Sequence, residues 1–232
     1  MRQMIHFLLL RVPVSIHPSI WLALALLGWS LASPSVTGVA LFVVAGFICT
    51  LAHEMGHALV GRWLAGGEPK VCLAWLGGDC CNATAEFTRM QGVVMTAAGP
   101  LVSLAVGLLV VPWLMWEMKS VSMGAWLGVQ FLTGVVPEGC LEVMNPSMAF
   151  FCAYMIQISV WWAVLNLLPI FPLDGGQIMH GLMKSPRRMH GISMVVSTVA
   201  MLLFFLLRVP LAAICMGFLA YFNYRFYQHT PN

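Results

Sequence analysis

Two histidines and a glutamate lie within one apolar stretch of the sequence, in the segment His-Glu-Met-Gly-His at 53–57. On a helix, His53 and His57 are four residues apart, so their imidazoles share one face and can bind one metal ion. Glu54 lies beside them and can accept a proton from a water molecule that the metal activates. The spacing therefore predicts a metal-dependent hydrolytic centre.

A catalytic zinc site usually has three protein ligands and an open position, so a third ligand must come from elsewhere in the chain. Asp174 follows two prolines in the segment Asn-Leu-Leu-Pro-Ile-Phe-Pro-Leu-Asp-Gly-Gly at 166–176. Irregular backbone at membrane depth is either buried in protein or lines a wet cavity, which makes Asp174 the candidate ligand. The alternative is a helix cap, in which Gln177 completes a capping box with Asp174. His180 is the reserve ligand.

The composition indicates that the chain carrying these residues is an integral membrane protein. Of the 232 residues, 60% are hydrophobic and 8% are charged, with a mean hydropathy of +0.89. We expect an all-α polytopic fold of about six transmembrane helices, in a single domain over 1–232. The apolar runs place the helices at 18–34, 37–64, 92–116, 147–168, 190–207 and 209–226. The net charge of +3, without a basic run, argues against a nucleic-acid partner.

The distribution of charge predicts the orientation in the bilayer. With six spans and a cytoplasmic amino terminus, only Lys119 and Arg208 of the eleven lysines and arginines lie outside. We therefore expect both termini in the cytoplasm and a cell (inner) membrane location. Counting along the second span puts His53 near the cytoplasmic face, at the level of Asp174. The apolar stretch before Pro137 is too short to span and is expected to lie in the interface or to re-enter the membrane.

The two signatures together resemble the site-2 protease family of intramembrane zinc metalloproteases. The segment at 53–57 matches the H-E-x-x-H motif of that family, and the segment at 166–176 matches its second signature. Two further stretches are similar to the intervening helix and to the amino-terminal entry, at 96–103 and 12–22. The segments occur in the family order and cover most of the chain. Since neither a PDZ nor a CBS domain is recognisable, the chain resembles the minimal core.

The resemblance implies one zinc ion per chain, with His53, His57 and Asp174 as ligands and Glu54 as general base. It implies that Asn166 binds substrate or stabilises the developing oxyanion. The implied activity is endoproteolytic cleavage of the transmembrane segment of a single-pass membrane protein within the lipid bilayer. One departure is Ser103, which stands where the family commonly has Asn, and no polar role is assigned to it. With Gly99 and Gly107, Ser103 forms a ridge of small residues expected to pack against another helix.

Two further expectations concern the hairpin and the rival functions. Alternating apolar residues and a Gly-Gly-Asp turn predict a β-hairpin over 71–87 at the membrane edge. A free strand edge there could pair with an unwound substrate, or the hairpin could simply cover the site. A metal or proton transporter could use the same ligands, but it would string polar residues along several spans. A non-catalytic relative would carry a damaged signature, so we favour the protease.

Overall fold

The computed structural model describes residues 4–31, 35–75, 77–82 and 84–230. Nine helices and four strands lie within these residues. In chain order they are β1 (Ile5–Leu9), β2 (Val12–Ile16), α1 (Ser19–Leu31), α2 (Val36–Ala65), β3 (Lys70–Ala74), β4 (Gly77–Cys81), α3 (Arg89–Glu117), α4 (Val121–Leu132), α5 (Glu138–Leu141), α6 (Pro146–Asn166), α7 (Asp174–Leu182), α8 (Pro186–Leu206) and α9 (Pro210–His229). Arg2, one of the predicted cytoplasmic charges, lies outside the described residues.

Among the described residues, four helices are long and apolar enough to cross a bilayer: α2, α3, α6 and α8. They match four of the six predicted spans. Helix α1 matches the first span, but its 13 residues extend only about 20 Å, against roughly 30 Å of hydrocarbon. Helix α9 matches the last span and carries Asn223 and Arg225. The fold is therefore that of a mainly helical membrane protein with four candidate spans, and the count of six is not confirmed.

Helix α2, which carries the two histidines, has clear signals at both ends. The Ser35 side chain accepts a hydrogen bond from the backbone N–H of Gly38 at 3.0 Å and so caps the amino terminus. At the other end, Gly66 adopts a φ of 70°, a conformation that glycine reaches without the steric cost of a Cβ, and its N–H donates to Arg62 O. The helix therefore runs unbroken for 30 residues.

The predicted hairpin is part of a larger sheet with the order β1-β2-β3-β4. Strands β3 and β4 pair antiparallel from Lys70 to Cys81, which confirms the predicted hairpin. The predicted turn is wrong, because Gly77, Gly78 and Asp79 lie in β4. Strand β2 pairs with β1 antiparallel and with β3 parallel. The expectation of a lone hairpin in an all-α protein is thus corrected to a four-stranded mixed sheet. Within the part of the chain that the structure describes, both ends of the sheet are edges, because β1 and β4 each pair with a single neighbour.

The amino-terminal strands were missed for an identifiable reason. The turn between β1 and β2 places Leu10 and Arg11 at φ values of 51° and 63°, a turn geometry that sequences normally mark with Asn or Gly. Here the Arg62 guanidinium donates instead to the carbonyl oxygens of Leu10 and Arg11, at 3.2 and 3.4 Å. The sequence at this turn therefore carries no turn signal, because the stabilising group comes from the far end of α2.

The chain divides into two compact units. Unit 1 comprises residues 1–86 and 98–163, and unit 2 comprises residues 87–97 and 164–232. In unit 1 the sheet is packed on the first two helices through a core that includes Val12, Val14, Leu73, Met55 and Ala58. In unit 2, α8 and α9 pack together, and Ile170, Ala200 and Met216 form the buried centre.

The apolar stretch before Pro137 forms α4, which belongs to unit 1. Its glycines allow close packing on α3: a Cβ at Gly124 would overlap the backbone of Met115. At its carboxyl end, Gln157 Nε2 donates to Phe131 O at 2.8 Å and Trp161 Nε1 donates to Leu132 O at 3.2 Å. These side chains of α6 satisfy carbonyl groups that the end of a helix leaves without intrahelical partners.

Candidate metal centre

The three residues of the H-E-x-x-H motif are buried in unit 1. His53, Glu54 and His57 are 2%, 5% and 7% exposed. The two imidazole rings meet edge to face, and their Nε2 atoms are 3.2 Å apart. Two nitrogen atoms this close either share one proton or point their lone pairs at a common ion. The prediction that these histidines lie together on one helix face is confirmed.

Ser103 forms a hydrogen bond with His53 at Nδ1, the ring nitrogen that does not contact His57. This residue of α3 is fully buried, and its Oγ lies 3.0 Å from His53 Nδ1. In the tautomer that carries its proton on Nδ1, His53 donates to Ser103 and presents the Nε2 lone pair towards His57. A partner on the far ring nitrogen is the usual way in which a ligating histidine is oriented. The sequence assigned no polar role to Ser103, although its place in the small-residue ridge pointed to the right helix face.

The small-residue ridge makes room for these side chains, as predicted. A Cβ at Gly99 would overlap His57 Nε2, and one at Gly107 would lie 3.1 Å from Ser159 Cβ on α6. Because Gly99 has no side chain, the His57 imidazole packs directly on the backbone of α3. Gly107 likewise allows α6 to pack closely on α3. Any larger side chain at 99 would have to displace His57.

The hairpin lies against the glutamate of the motif. A Cβ at Gly78 would overlap the Glu54 side chain, at only 2.7 Å from Oε1. The backbone of the edge strand β4 therefore passes directly beside the carboxyl group. The neighbouring Gly77 is different, since the nearest atom to its Cβ would be Trp162 Cζ2 at 4.0 Å, an ordinary contact.

Cys80 on the same strand is a neutral thiol. Burial, the largest cause, and the nearby charges of Glu54, Asp79 and Cys81 together raise the pKa of Cys80 to about 12. The thiolate is the form that ligates metals and attacks carbon. Cys80 is therefore protonated at neutral pH and is a poor rival to the histidines for a metal ion.

Asp174 lies in unit 2 and is 7% exposed. It is the first residue of α7, whose N-cap is Leu173 and has no side-chain capping bond. Gln177 uses its amide to donate to Pro172 O at 3.0 Å. The capping-box alternative is therefore wrong, because Asp174 lies one position inside the helix. His180, the reserve ligand, is exposed, and Asn166 is the half-buried last residue of α6.

The fold and the motif together define a helical integral membrane protein with a buried H-E-x-x-H pair, the arrangement of a membrane-bound metallopeptidase. The family model of peptidase family M50 matches residues 41–207, and the chain belongs to that family. This confirms the resemblance drawn from the two signatures.

A curated protein and a solved structure, both from Methanocaldococcus jannaschii, are similar to the chain. A zinc metalloprotease is 24% identical over 226 residues, which are 94% of this chain and 58% of that protein. The chain thus spans less than two thirds of this relative. The solved structure of a site-2 protease aligns over 97% of this chain and 95% of its own, with a TM-score of 0.56 and 18% identity. At that identity, the structural likeness establishes the fold alone.

Proposed function

We propose that this protein is an intramembrane zinc endopeptidase that cleaves the transmembrane segment of a membrane-protein substrate. The observation that carries the proposal is the buried pair of His53 and His57, with Nε2 atoms 3.2 Å apart and Glu54 beside them on a membrane-length helix. Membership of peptidase family M50 and the name of the zinc metalloprotease relative support the same activity.

Zinc fits the donor set of this chain. We propose that His53, His57 and Asp174 are the ligands of one ion per chain. Two imidazoles and a carboxylate, with one position left open, are a known composition of catalytic zinc sites. The three side chains are each buried, at 2%, 7% and 7% exposed. The hydrogen bond between His53 and Ser103 and the space that Gly99 leaves for His57 orient the two imidazoles for metal binding.

In the proposed mechanism, zinc held by His53, His57 and Asp174 would supply a Lewis acid for the scissile carbonyl and would lower the pKa of water at the site. Glu54 removes a proton from the attacking water and delivers it to the leaving amine. Burial of Glu54 limits competition from bulk water for that proton. Asn166 binds the substrate or donates a hydrogen bond to the developing oxyanion.

The substrate is proposed to be a single-pass membrane protein within the lipid bilayer. A helix hides its amides in its own hydrogen bonds, so the cleaved segment must unwind, which Gly or Pro in that segment makes easier. The edge strand β4 supports a role in holding the unwound segment, because its backbone passes beside Glu54 and its outer edge is not paired within the sheet. We propose cytoplasmic termini, a cell (inner) membrane and a site near the cytoplasmic face, which the distribution of charge supports for an arrangement of six spans.

Replacing Gly78 by alanine is expected to lower cleavage at least about 100-fold, because the new Cβ displaces the general base. Zinc content should stay at the wild-type level, since the atoms nearest to the new Cβ belong to Glu54 and not to a histidine. The cleavage rate and the zinc content of the purified variant are both measured. The matched control is Gly77→Ala on the same strand, where the Cβ has space and activity should persist. Equal activity of the two variants would contradict the placement of β4 at Glu54.

The proposed activity is tested with the purified protein in liposomes together with a tagged single-pass protein whose transmembrane segment contains Gly and Pro. Cleavage should stop on treatment with a zinc chelator and return on addition of about one equivalent of zinc. The same liposomes loaded with a zinc-sensitive dye test the transporter alternative. Zinc flux without cleavage would favour a transporter, and zinc binding with neither would favour a non-catalytic relative.

A further inference from the structure

Buried polar side chains in unit 2 form hydrogen bonds with the backbone of the irregular loop that precedes Asp174. The loop covers residues 167–173, between α6 and α7. Asn223 of α9 donates through Nδ2 to Phe171 O at 2.6 Å and to Leu219 O at 2.9 Å. Since its amide nitrogen is engaged with two carbonyls, its Oδ1 accepts from His190 Nδ1–H of α8, at 2.9 Å. Asn223 is fully buried and His190 is 6% exposed.

A second buried side chain holds the other backbone group of the same loop residue. Ser193 of α8 accepts from the Phe171 N–H at 3.1 Å, and its hydroxyl donates to Pro169 O at 3.2 Å. Both backbone polar groups of Phe171 are thus bound by side chains from α8 and α9. The aromatic ring of Phe171 also packs edge to face on His190. A loop held at three backbone groups by fully buried side chains has little freedom to shift.

The loop in turn fixes the start of α7. A Cβ at Gly175 would overlap Leu167 O, and one at Gly176 would overlap the backbone of Ile170 and Phe171. The first turn of α7 therefore rests directly on the loop backbone, with no side chain between them to absorb a displacement. A shift of the Phe171 peptide would be passed to Asp174, three residues further on.

We infer that Asn223 and Ser193 are positioning residues for Asp174, which they orient for metal binding through the backbone of the 167–173 loop. This inference rests on the proposed function, in which Asp174 is a zinc ligand. Asn223 lies on α9, beyond the residues 41–207 that match the family model. The last helix would then take part in the metal centre without contributing a ligand.

The chain offers a matched pair of variants for the test. Ser193 and Ser197 lie one turn apart on α8 and are both fully buried. Among the described residues, the Ser197 hydroxyl bonds only backbone of its own helix, Ser193 O at 2.6 Å and Met194 O at 3.1 Å, whereas Ser193 reaches the loop. Ser193→Ala and Ser197→Ala therefore remove the same group at the same depth, and only the first releases the loop. Asn223→Leu is a stronger variant that keeps the approximate volume.

Zinc affinity of each purified protein is measured in detergent by competition with a chromophoric chelator, and thermal unfolding of the metal-free protein is followed in parallel. Loss of an outer-shell partner weakens metal binding by about 10- to 100-fold, and we expect this for Ser193→Ala and Asn223→Leu. Ser197→Ala should bind zinc like the wild type. The absorption spectrum of the cobalt-substituted protein should change in Ser193→Ala and Asn223→Leu, because a shift of Asp174 alters the ligand geometry. A merely structural role of these residues would leave that spectrum unchanged.

Three outcomes separate the possibilities. Weakened zinc binding confined to the loop-releasing variants, with unfolding of the metal-free Ser193→Ala protein close to that of Ser197→Ala, supports the inference. Wild-type zinc affinity and an unchanged cobalt spectrum in a folded Ser193→Ala protein would overturn it and leave the proposed function standing. A wild-type protein that binds no zinc would overturn both.

Discussion

Glu54→Gln is expected to lower cleavage by about 100- to 10,000-fold while about one zinc per chain remains bound. Glutamine has nearly the same size and fits beside Gly78, but its amide cannot accept the proton of the attacking water. The histidines keep their mutual contact and the hydrogen bond that His53 donates to Ser103, so the metal ligands on this helix are undisturbed. Cleavage rate and metal content are measured on the same preparation.

Glu68→Gln is the matched control for this variant, because Glu68 is exposed just beyond the end of α2. It should cleave at the wild-type rate. Normal cleavage by the Glu54→Gln protein would exclude Glu54 as general base. Loss of both zinc and cleavage would show that Glu54 acts on the metal site itself instead of on the proton.

The Asp174→Ala protein is expected to lose most of its bound zinc. Four-ligand structural zinc sites in small peptides bind with about 10–16 kcal/mol, so each ligand accounts for roughly 2.5–4 kcal/mol. Loss of one ligand should therefore weaken binding by about 100- to 1,000-fold. The measurement is zinc content after gel filtration, followed by competition with a chelator. Cleavage should fall with the metal.

The other aspartate of the chain supplies the control. Asp79 is exposed on β4, and Asp79→Ala should keep its zinc. Wild-type zinc content in Asp174→Ala would remove this residue from the ligand set. The helix-cap explanation would not return, because Leu173 occupies the N-cap position.

The sequence by itself determined the features that depend on neighbouring residues. The spacing of His53 and His57 places them on one face of any helix, and a 30-residue apolar helix is specified by its own composition and by caps at Ser35 and Gly66. The β3–β4 hairpin was also predictable from the local alternation of apolar residues, although the Gly-Gly-Asp segment expected at its turn lies in β4. These features need no information from distant parts of the chain.

The tertiary structure decided what depends on residues far apart in the sequence. Strand β2 pairs in parallel with β3 across two intervening helices, and the turn before it is stabilised by Arg62, so neither leaves a local pattern. Ser103 bonds His53 over 50 positions, and Asn223 bonds Phe171 over 52. Such partners are chosen by helix packing, because a buried polar group must find whichever donor or acceptor the fold brings to it. The sequence could name the chemistry of the site, but only the fold could show what orients it.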